Sequence, residues 1–188
     1  MTKVIFMDLS RCVNCRACEV ACEREHAGNA NIFVQLIDER FALPLNCHHC
    51  EESFCTVVCP TQAVHRVSPD AVIVSPMKCI GCGLCTLACP FGSIWLDMRN
   101  KVARKCDLCQ HRTQAGLEPA CVTTCSARAL AFGEFETLLA KAKKKKGQLV
   151  INRAAGATGT ILMLPPGLIE ASSLMQASGK GAETAKTG

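Results

Sequence analysis

The stretch Cys79-Ile-Gly-Cys82-Gly-Leu-Cys85-Thr-Leu-Ala-Cys89-Pro90 places four thiols at the spacing C-x2-C-x2-C-x3-C-P, which wraps a cubane iron–sulfur cluster. Three thiols two residues apart can curl around one cube of iron and sulfide, and Gly81 and Gly83 let the backbone approach the sulfides. The fourth thiol does not easily close the same cube. Where two clusters lie side by side it ligates the other one, so one such motif predicts a partner motif elsewhere in the chain.

Three further candidates are present. The first copy, Asp8 to Cys22, offers Cys12, Cys15, Cys18 and Cys22, and shares the Ala-Cys ending of the later motif at Ala21-Cys22 and Ala88-Cys89. This is an internal repeat, and a short helix is expected to start near the third Cys of each copy. The second offers Cys47, Cys50, Cys55 and Cys59, followed by Pro60; the fourth offers Cys106, Cys109, Cys121 and Cys125, with eleven residues between its second and third thiols. Glu23 and Ser126 stand where Pro60 and Pro90 follow the last thiol elsewhere. Two thiol pairs at the spacing of the fourth motif also suit a four-thiolate zinc site. The three neighbouring motifs favour clusters throughout, since sixteen thiols divide into four sets of four, giving four [4Fe-4S] clusters; a zinc-binding structural scaffold is the remote alternative.

With 188 residues, 4% aromatic content, one Trp and no Tyr, the chain is poor in large core residues, so bound metal is expected to anchor the fold. Sixteen cysteines could instead form disulfides in an exported protein. Met1 to Ser10 shows neither a secretory nor a twin-arginine leader, so reduced thiols and a cytoplasmic location are expected, export on a partner's signal remaining compatible. No run reaches the roughly 18 apolar residues of a spanning helix, so no transmembrane segment is expected. The formal charge of +5 falls to roughly −3 once four oxidised clusters each add about −2, and no basic-surface argument for nucleic acid survives. Gly156-Ala-Thr-Gly159 lacks the rest of a dinucleotide fingerprint, and no P-loop, nucleophile–base pair or open metal position is visible, so the chain reads as non-enzymatic.

Asn31 to Leu45 reads as one strand, and Ala63 to Val67 with Ala71 to Val74 as a hairpin around Ser68-Pro69-Asp70. Phe91, Ile94, Trp95 and Leu96 form a local apolar cluster, Ala129 to Phe132 a closing strand, and Phe135, Leu138, Leu139 and Ala142 fall at helical spacing. Lys141 to Lys146 close that helix, complementing its dipole, and Gly147 follows as its stop. His48 and His49 are read as hydrogen-bonding or surface groups rather than ligands; His26, His65 and His111 have no partner pattern. From Gln148 onward cysteines are absent, and the last ten or so residues are expected to be disordered. Leu149 to Met175 is read as a partner-binding extension anchored by Ile161, Leu162, Met163, Leu164 and Leu168, against the alternative that it folds back over its own modules.

Four cysteine clusters in this order, Cys59-Pro-Thr, Cys79-Ile-Gly-Cys-Gly, and Lys105-Cys-Asp-Leu-Cys109 followed by Pro119-Ala-Cys121, resemble the four-cluster ferredoxin-like subunits of the dimethyl sulfoxide reductase electron-transfer family. The likeness covers about Val4 to Glu134; Glu23, Ser126 and Glu51-Glu52-Ser53 depart from it. It implies an α+β fold of two pseudo-symmetric bacterial-ferredoxin-like modules, a duplicated 2[4Fe-4S] fold, plus a C-terminal extension. Motifs two and three both end in Cys-Pro and are joined by the short hairpin, so residues 47–96 are expected to form an inner module, residues 1–46 with 97–147 an outer one, and residues 148–188 the extension. Family resemblance implies the same pairing, and exchange of the last thiol then gives Cys12, Cys15, Cys18 with Cys125; Cys106, Cys109, Cys121 with Cys22; Cys47, Cys50, Cys55 with Cys89; and Cys79, Cys82, Cys85 with Cys59. The function implied is a relay of single electrons between a catalytic redox partner and a second acceptor such as a hydrogenase. The look is most like the ferredoxin-like partner of nickel-iron carbon monoxide dehydrogenase, with a subunit of a formate dehydrogenase or formate-linked hydrogenase as the alternative.

Overall fold

The computed structural model describes residues 3–37, 41–143, 148–151 and 160–164. In chain order the elements are β1 (Lys3–Asp8), α1 (Ala17–Glu25), β2 (Phe33–Ile37), β3 (Phe41–Leu45), α2 (Phe54–Val57), β4 (Val64–Ser68), β5 (Ala71–Val74), α3 (Leu84–Ala88), β6 (Ile94–Asp97), β7 (Val102–Lys105), α4 (Gln110–Thr113), α5 (Ala120–Thr124), β8 (Leu130–Glu134), α6 (Phe135–Lys143), β9 (Gln148–Ile151) and β10 (Thr160–Leu164). The fold class is α+β, with short helices and small antiparallel hairpins, consistent with a ferredoxin-like fold.

β1 is apolar at every position from Val4 to Met7 because both of its faces are covered. Successive side chains of a strand point to opposite faces. Ile5 and Met7 join Leu9, Cys18, Cys22, Leu108, Cys121, Val122 and Leu130 in the core that holds cysteines. Val4 and Phe6 pack on the other side against Leu138 and Ala142 of α6 and against Met163. Each such buried side chain contributes about 1.5–3 kcal/mol. The sheet has the order β8-β1-β10-β9, with β1 antiparallel to β8 and parallel to β10.

That arrangement corrects one expectation. Thr160–Leu164 is a strand hydrogen-bonded to β1, and Met163 is 3% exposed within the chain's own core, so Met163 is no anchor for a partner and the strand follows the fold-back alternative. Ile161, Leu162 and Leu164 lie in the same strand; Leu168 lies outside the described residues, as do Gly147 and the last residues of the lysine run.

β2 and β3 form an antiparallel hairpin where one strand was expected. β4 and β5 pair around Ser68-Pro69-Asp70 as expected, and the turn is held by the Ala71 N–H on Ser68 Oγ at 3.1 Å. β6 and β7 form a third hairpin, which straddles the expected module boundary between residues 96 and 97. Val64, Val72, Cys85, Ile94 and Ala103 make a second core, with Cys55, Cys59, Cys79 and Cys89 packed against it. Trp95 meets Phe33 edge-to-face at 4.9 Å between ring centres. The closing strand and the helix after it appear as β8 and α6, with Leu138 and Ala142 buried. No helix among the described residues is long and apolar enough to cross a membrane.

Candidate metal centres

All four motifs share one backbone device. The residue before the second cysteine is left-handed in each: Asn14, His49, Gly81 and Leu108, with φ of 55, 47, 68 and 59°. Only one of these is glycine, so the conformation is imposed on residues that ordinarily avoid it. Its effect is visible in motifs two and four, where the His49 and Leu108 N–H groups turn back onto Cys47 Sγ and Cys106 Sγ, each at 3.4 Å. In every motif a helix then begins one residue before the third cysteine, at Ala17, Phe54, Leu84 and Ala120.

The fourth thiol lies at or beyond the end of that helix, except in motif one. Cys89, before Pro90, is extended at ψ 111°, and α3 stops at Ala88, as a following proline favours. Motif one has Glu23 instead, and α1 runs past Cys22 to Glu25. The added turn is used: Glu25 accepts from His111 Nε2 at 2.8 Å and from Arg112 Nη1 at 2.9 Å. The insertion that widens motif four thus contains α4, tied to the first motif's helix. His111 first, with Arg112, holds the Glu25 carboxyl below its usual range.

The structure gathers the thiols across motifs. Cys47, Cys50, Cys55 and Cys89 line one cavity together with His48, His49 and Lys105. Burial, then Cys47 and Cys89, push the Cys50 thiol up; burial also takes Cys55 up to about 11, with Cys47, Cys89 and Cys50 adding to it. Burial raises Cys85, and its neighbours Cys79, Cys82 and Cys59 raise it further. Burial sends Cys121 far up, helped by Cys109, Cys22 and Cys18. Burial likewise raises Cys109, Cys106 and, to about 12, Cys18. Cys12 and Cys125 both pack against the core that contains Cys18, Cys22 and Cys121. Cys15 and Cys82 are exposed. At Cys59 burial acts upward, but the Val64 N–H, the Thr61 hydroxyl and the Ala63 N–H outweigh it and hold the thiol below its ordinary value.

This donor set fits iron–sulfur clusters. Buried thiols ionise only if a cation balances them. Further N–H groups are already aimed at sulfur: Asn31 on Cys22 at 3.1 Å, Ala103 on Cys79 at 3.3 Å and Ala129 on Cys125 at 3.2 Å. Such donors favour the ionised form and tune a cluster's potential. Among the described residues, His48 Nδ1, His49 Nε2 and both amide atoms of Asn46 are buried without a hydrogen-bond partner.

Sequence reasoning missed several neighbours of the thiols. His26, one turn after Cys22, donates from Nδ1 to the Cys22 carbonyl at 2.7 Å and from Nε2 to Asp107 Oδ1 at 2.9 Å, with Cys22 Sγ 3.5 Å away. Asp107 first, then Cys22, raises this imidazole to about 11. Asp107 Oδ1 also accepts the Cys109 N–H at 2.9 Å. His49 accepts the Val72 N–H at Nδ1, 3.1 Å, and His48 packs on Phe91 with ring centres 4.1 Å apart. Burial lowers His48 to about 4, so both histidines of motif two are internal groups and not surface ones. The one available signal for His26 was its spacing of four residues from Cys22 on a helix.

Known proteins are similar to this chain. Residues 38–135 match the 4Fe-4S dicluster domain family and residues 9–25 a 4Fe-4S binding domain. The chain belongs to the family of 4Fe-4S electron-transfer proteins and carries four 4Fe-4S clusters. It is 34% identical to the B subunit of the anaerobic dimethyl sulfoxide reductase of Escherichia coli (strain K12), over 77% of either protein. It is 38% identical to the putative electron transport protein YsaA of the same strain, over 69% of this chain and 88% of that one. It is 36% identical to the thiosulfate reductase electron transfer subunit PhsB of Salmonella typhi, over 71% and 76%. By name these relatives are a chain of a reductase, an electron transport protein and an electron transfer subunit of a reductase, and none is named a catalytic subunit.

Proposed function

We propose that this chain relays single electrons between the catalytic subunit of an anaerobic reductase for oxidised sulfur compounds and a second redox partner. The observation that carries the reading is the cavity that Cys47, Cys50 and Cys55 of one motif share with Cys89 of the next. Four such sets make the route: Cys47, Cys50, Cys55 with Cys89; Cys79, Cys82, Cys85 with Cys59; Cys106, Cys109, Cys121 with Cys22; Cys12, Cys15, Cys18 with Cys125. The first two sets belong to an inner module and the last two to an outer one, a pseudo-symmetric duplication. When bound, each cluster supplies reversible one-electron chemistry. The chain's own residues do the rest: they fix the thiolates, aim N–H donors at sulfur, and exclude water from the buried sets.

The catalytic partner follows the relatives. They serve a dimethyl sulfoxide reductase and a thiosulfate reductase, and this moves the proposed partner away from the carbon monoxide dehydrogenase, hydrogenase or formate dehydrogenase that the family resemblance implied. The cytoplasmic location is part of the proposal. The test is anaerobic affinity purification of the full chain with its bound proteins, followed by assay with dimethyl sulfoxide, thiosulfate, carbon monoxide, hydrogen and formate. Turnover of a sulfur substrate by the complex, and none by the chain alone, is expected. Turnover by the isolated chain would end the relay reading, and turnover of carbon monoxide, hydrogen or formate alone would return the partner to the earlier set.

A further inference from the structure

The seam between the two cysteine groups holds a buried cation. Lys105, the last residue of β7, is 5% exposed. Its Nζ donates to the Val72 carbonyl of β5 and to the Cys106 carbonyl at 2.7 Å. Neither acceptor is charged, and no carboxylate among the described residues forms an ion pair with it. A buried ammonium without an anion is costly, so its counter-charge has to come from elsewhere in the site.

The thiolates are the anions within reach, and they lie on both sides. Lys105 lines the cavity of Cys47, Cys50, Cys55 and Cys89, and the chain passes directly from Lys105 into Cys106 of the other group. The Lys105 Nζ holds the Cys106 carbonyl at 2.7 Å while the same side chain lines the cavity of the first set, so one ammonium is fixed between the two. Val72 fixes the arrangement, its N–H on His49 Nδ1 and its carbonyl on Lys105. Asp107, the nearest carboxylate in sequence, is paired with His26.

We propose that Lys105 is a shared electrostatic positioning residue, whose fixed positive charge raises the reduction potentials of two clusters together, one held by Cys47, Cys50, Cys55 and Cys89, the other by Cys22, Cys106, Cys109 and Cys121. This rests on the cysteine assignment proposed above. Reduction adds one electron and one negative charge to each set, and a nearby cation in a low-dielectric seam stabilises the reduced form. Because one ammonium serves both sets, it keeps their potentials in step, which suits transfer of an electron from one module to the other.

The experiment is potentiometric titration, followed by electron paramagnetic resonance, of the anaerobically purified full chain and of Lys105→Gln, Lys105→Met and Lys105→Arg, with iron counted in each. In the neutral variants with full iron, two midpoints are expected to fall by about 59 mV, a tenfold weaker one-electron reduction, while the other two stay put. Lys105→Arg restores them. Unchanged midpoints with iron intact, or Lys105→Arg behaving like the neutral variants, would overturn the proposal. If the neutral variants lose the iron of both sets and Lys105→Arg keeps it, the charge requirement stands; if Lys105→Arg loses it too, Lys105 is a packing residue and the proposal fails. Failure of the relay reading itself would show in the unmodified chain, as fewer than four titrating centres.

Discussion

Gly81 and Gly83 flank Cys82 and both have positive φ, +68 and +75°, yet replacing them with Ala is expected to differ sharply. An L-residue in this region costs about 1–2 kcal/mol, and both variants bear that cost. At Gly83 nothing more is added, because a Cβ would meet only Thr86 Oγ1 at 3.9 Å. At Gly81 a Cβ would sit 2.4 Å from the Lys101 carbonyl oxygen and 3.2 Å from its carbon, so the backbone must open by about 1 Å to reach ordinary contact. Lys101 lies in the β6–β7 turn, itself left-handed at φ 53°, and two residues later the Ala103 N–H reaches Cys79 Sγ at 3.3 Å. Opening the turn breaks that bond, worth about 1 kcal/mol or somewhat more to an ionised sulfur. Gly81→Ala is therefore expected to cost on the order of 3 kcal/mol against about 1–2 for Gly83→Ala. The assay is the rate at which visible cluster absorbance disappears in guanidinium under anaerobic conditions. About tenfold faster loss from Gly81→Ala than from Gly83→Ala is expected. Equal rates would refute the claim that glycine is required here by the Lys101 carbonyl, and would leave close approach to the sulfides as its reason.

Three further outcomes follow from the same structure. Cys89→Ser is expected to alter the cluster of Cys47, Cys50 and Cys55 and spare that of Cys79, Cys82 and Cys85; paramagnetic resonance showing the reverse would mean that each motif closes its own cube. Met163→Ala is expected to destabilise the chain by about 2–5 kcal/mol in chemical denaturation, since Met163 is buried against Val4, Phe6, Leu138 and Ala142, whereas a change within ~0.5 kcal/mol would remove β10 from the core. The Asp97 carboxyl is held down to about 2, first by the Asn100 amide, then by the Asn100 and Arg99 N–H groups and Arg104. A depressed folded value means that its contribution is complete above the unfolded value near ~4 and fades as pH falls toward 2. The stability difference between the unmodified chain and Asp97→Asn should shrink over that window, and a difference that is flat or grows on acidification contradicts the assignment.

The thiols and their helices were legible because ligand spacing is local: Cys79 to Cys89 states its geometry within eleven residues, and each helix starts beside a third cysteine. The Ser68-Pro69-Asp70 turn was legible for the same reason. The β2–β3 hairpin was not, since Asp38-Glu39-Arg40 between its strands carries no glycine or proline signal. Nor could residue type announce left-handed backbone at His49 or Leu108, where cluster-loop geometry overrides intrinsic preference. His26 meets Asp107 across 81 residues of sequence, and Lys105 meets Val72 across 33; a lysine beside a cysteine reads as solvated until the packing of β5 and β7 buries it. The extension was read outward because its apolar content lacks strong periodicity, yet parallel pairing with β1 needs only a run of residues at a sheet edge that β1 would otherwise expose.

The most direct test is to count what the isolated chain holds and accepts. Purified anaerobically, it is expected to contain about sixteen irons with matching sulfide, no stoichiometric zinc, and to take up about four one-electron equivalents from dithionite in a titration followed by visible absorbance. A colourless chain with zinc in place of iron, or one that accepts no electrons, would contradict the relay account at its root.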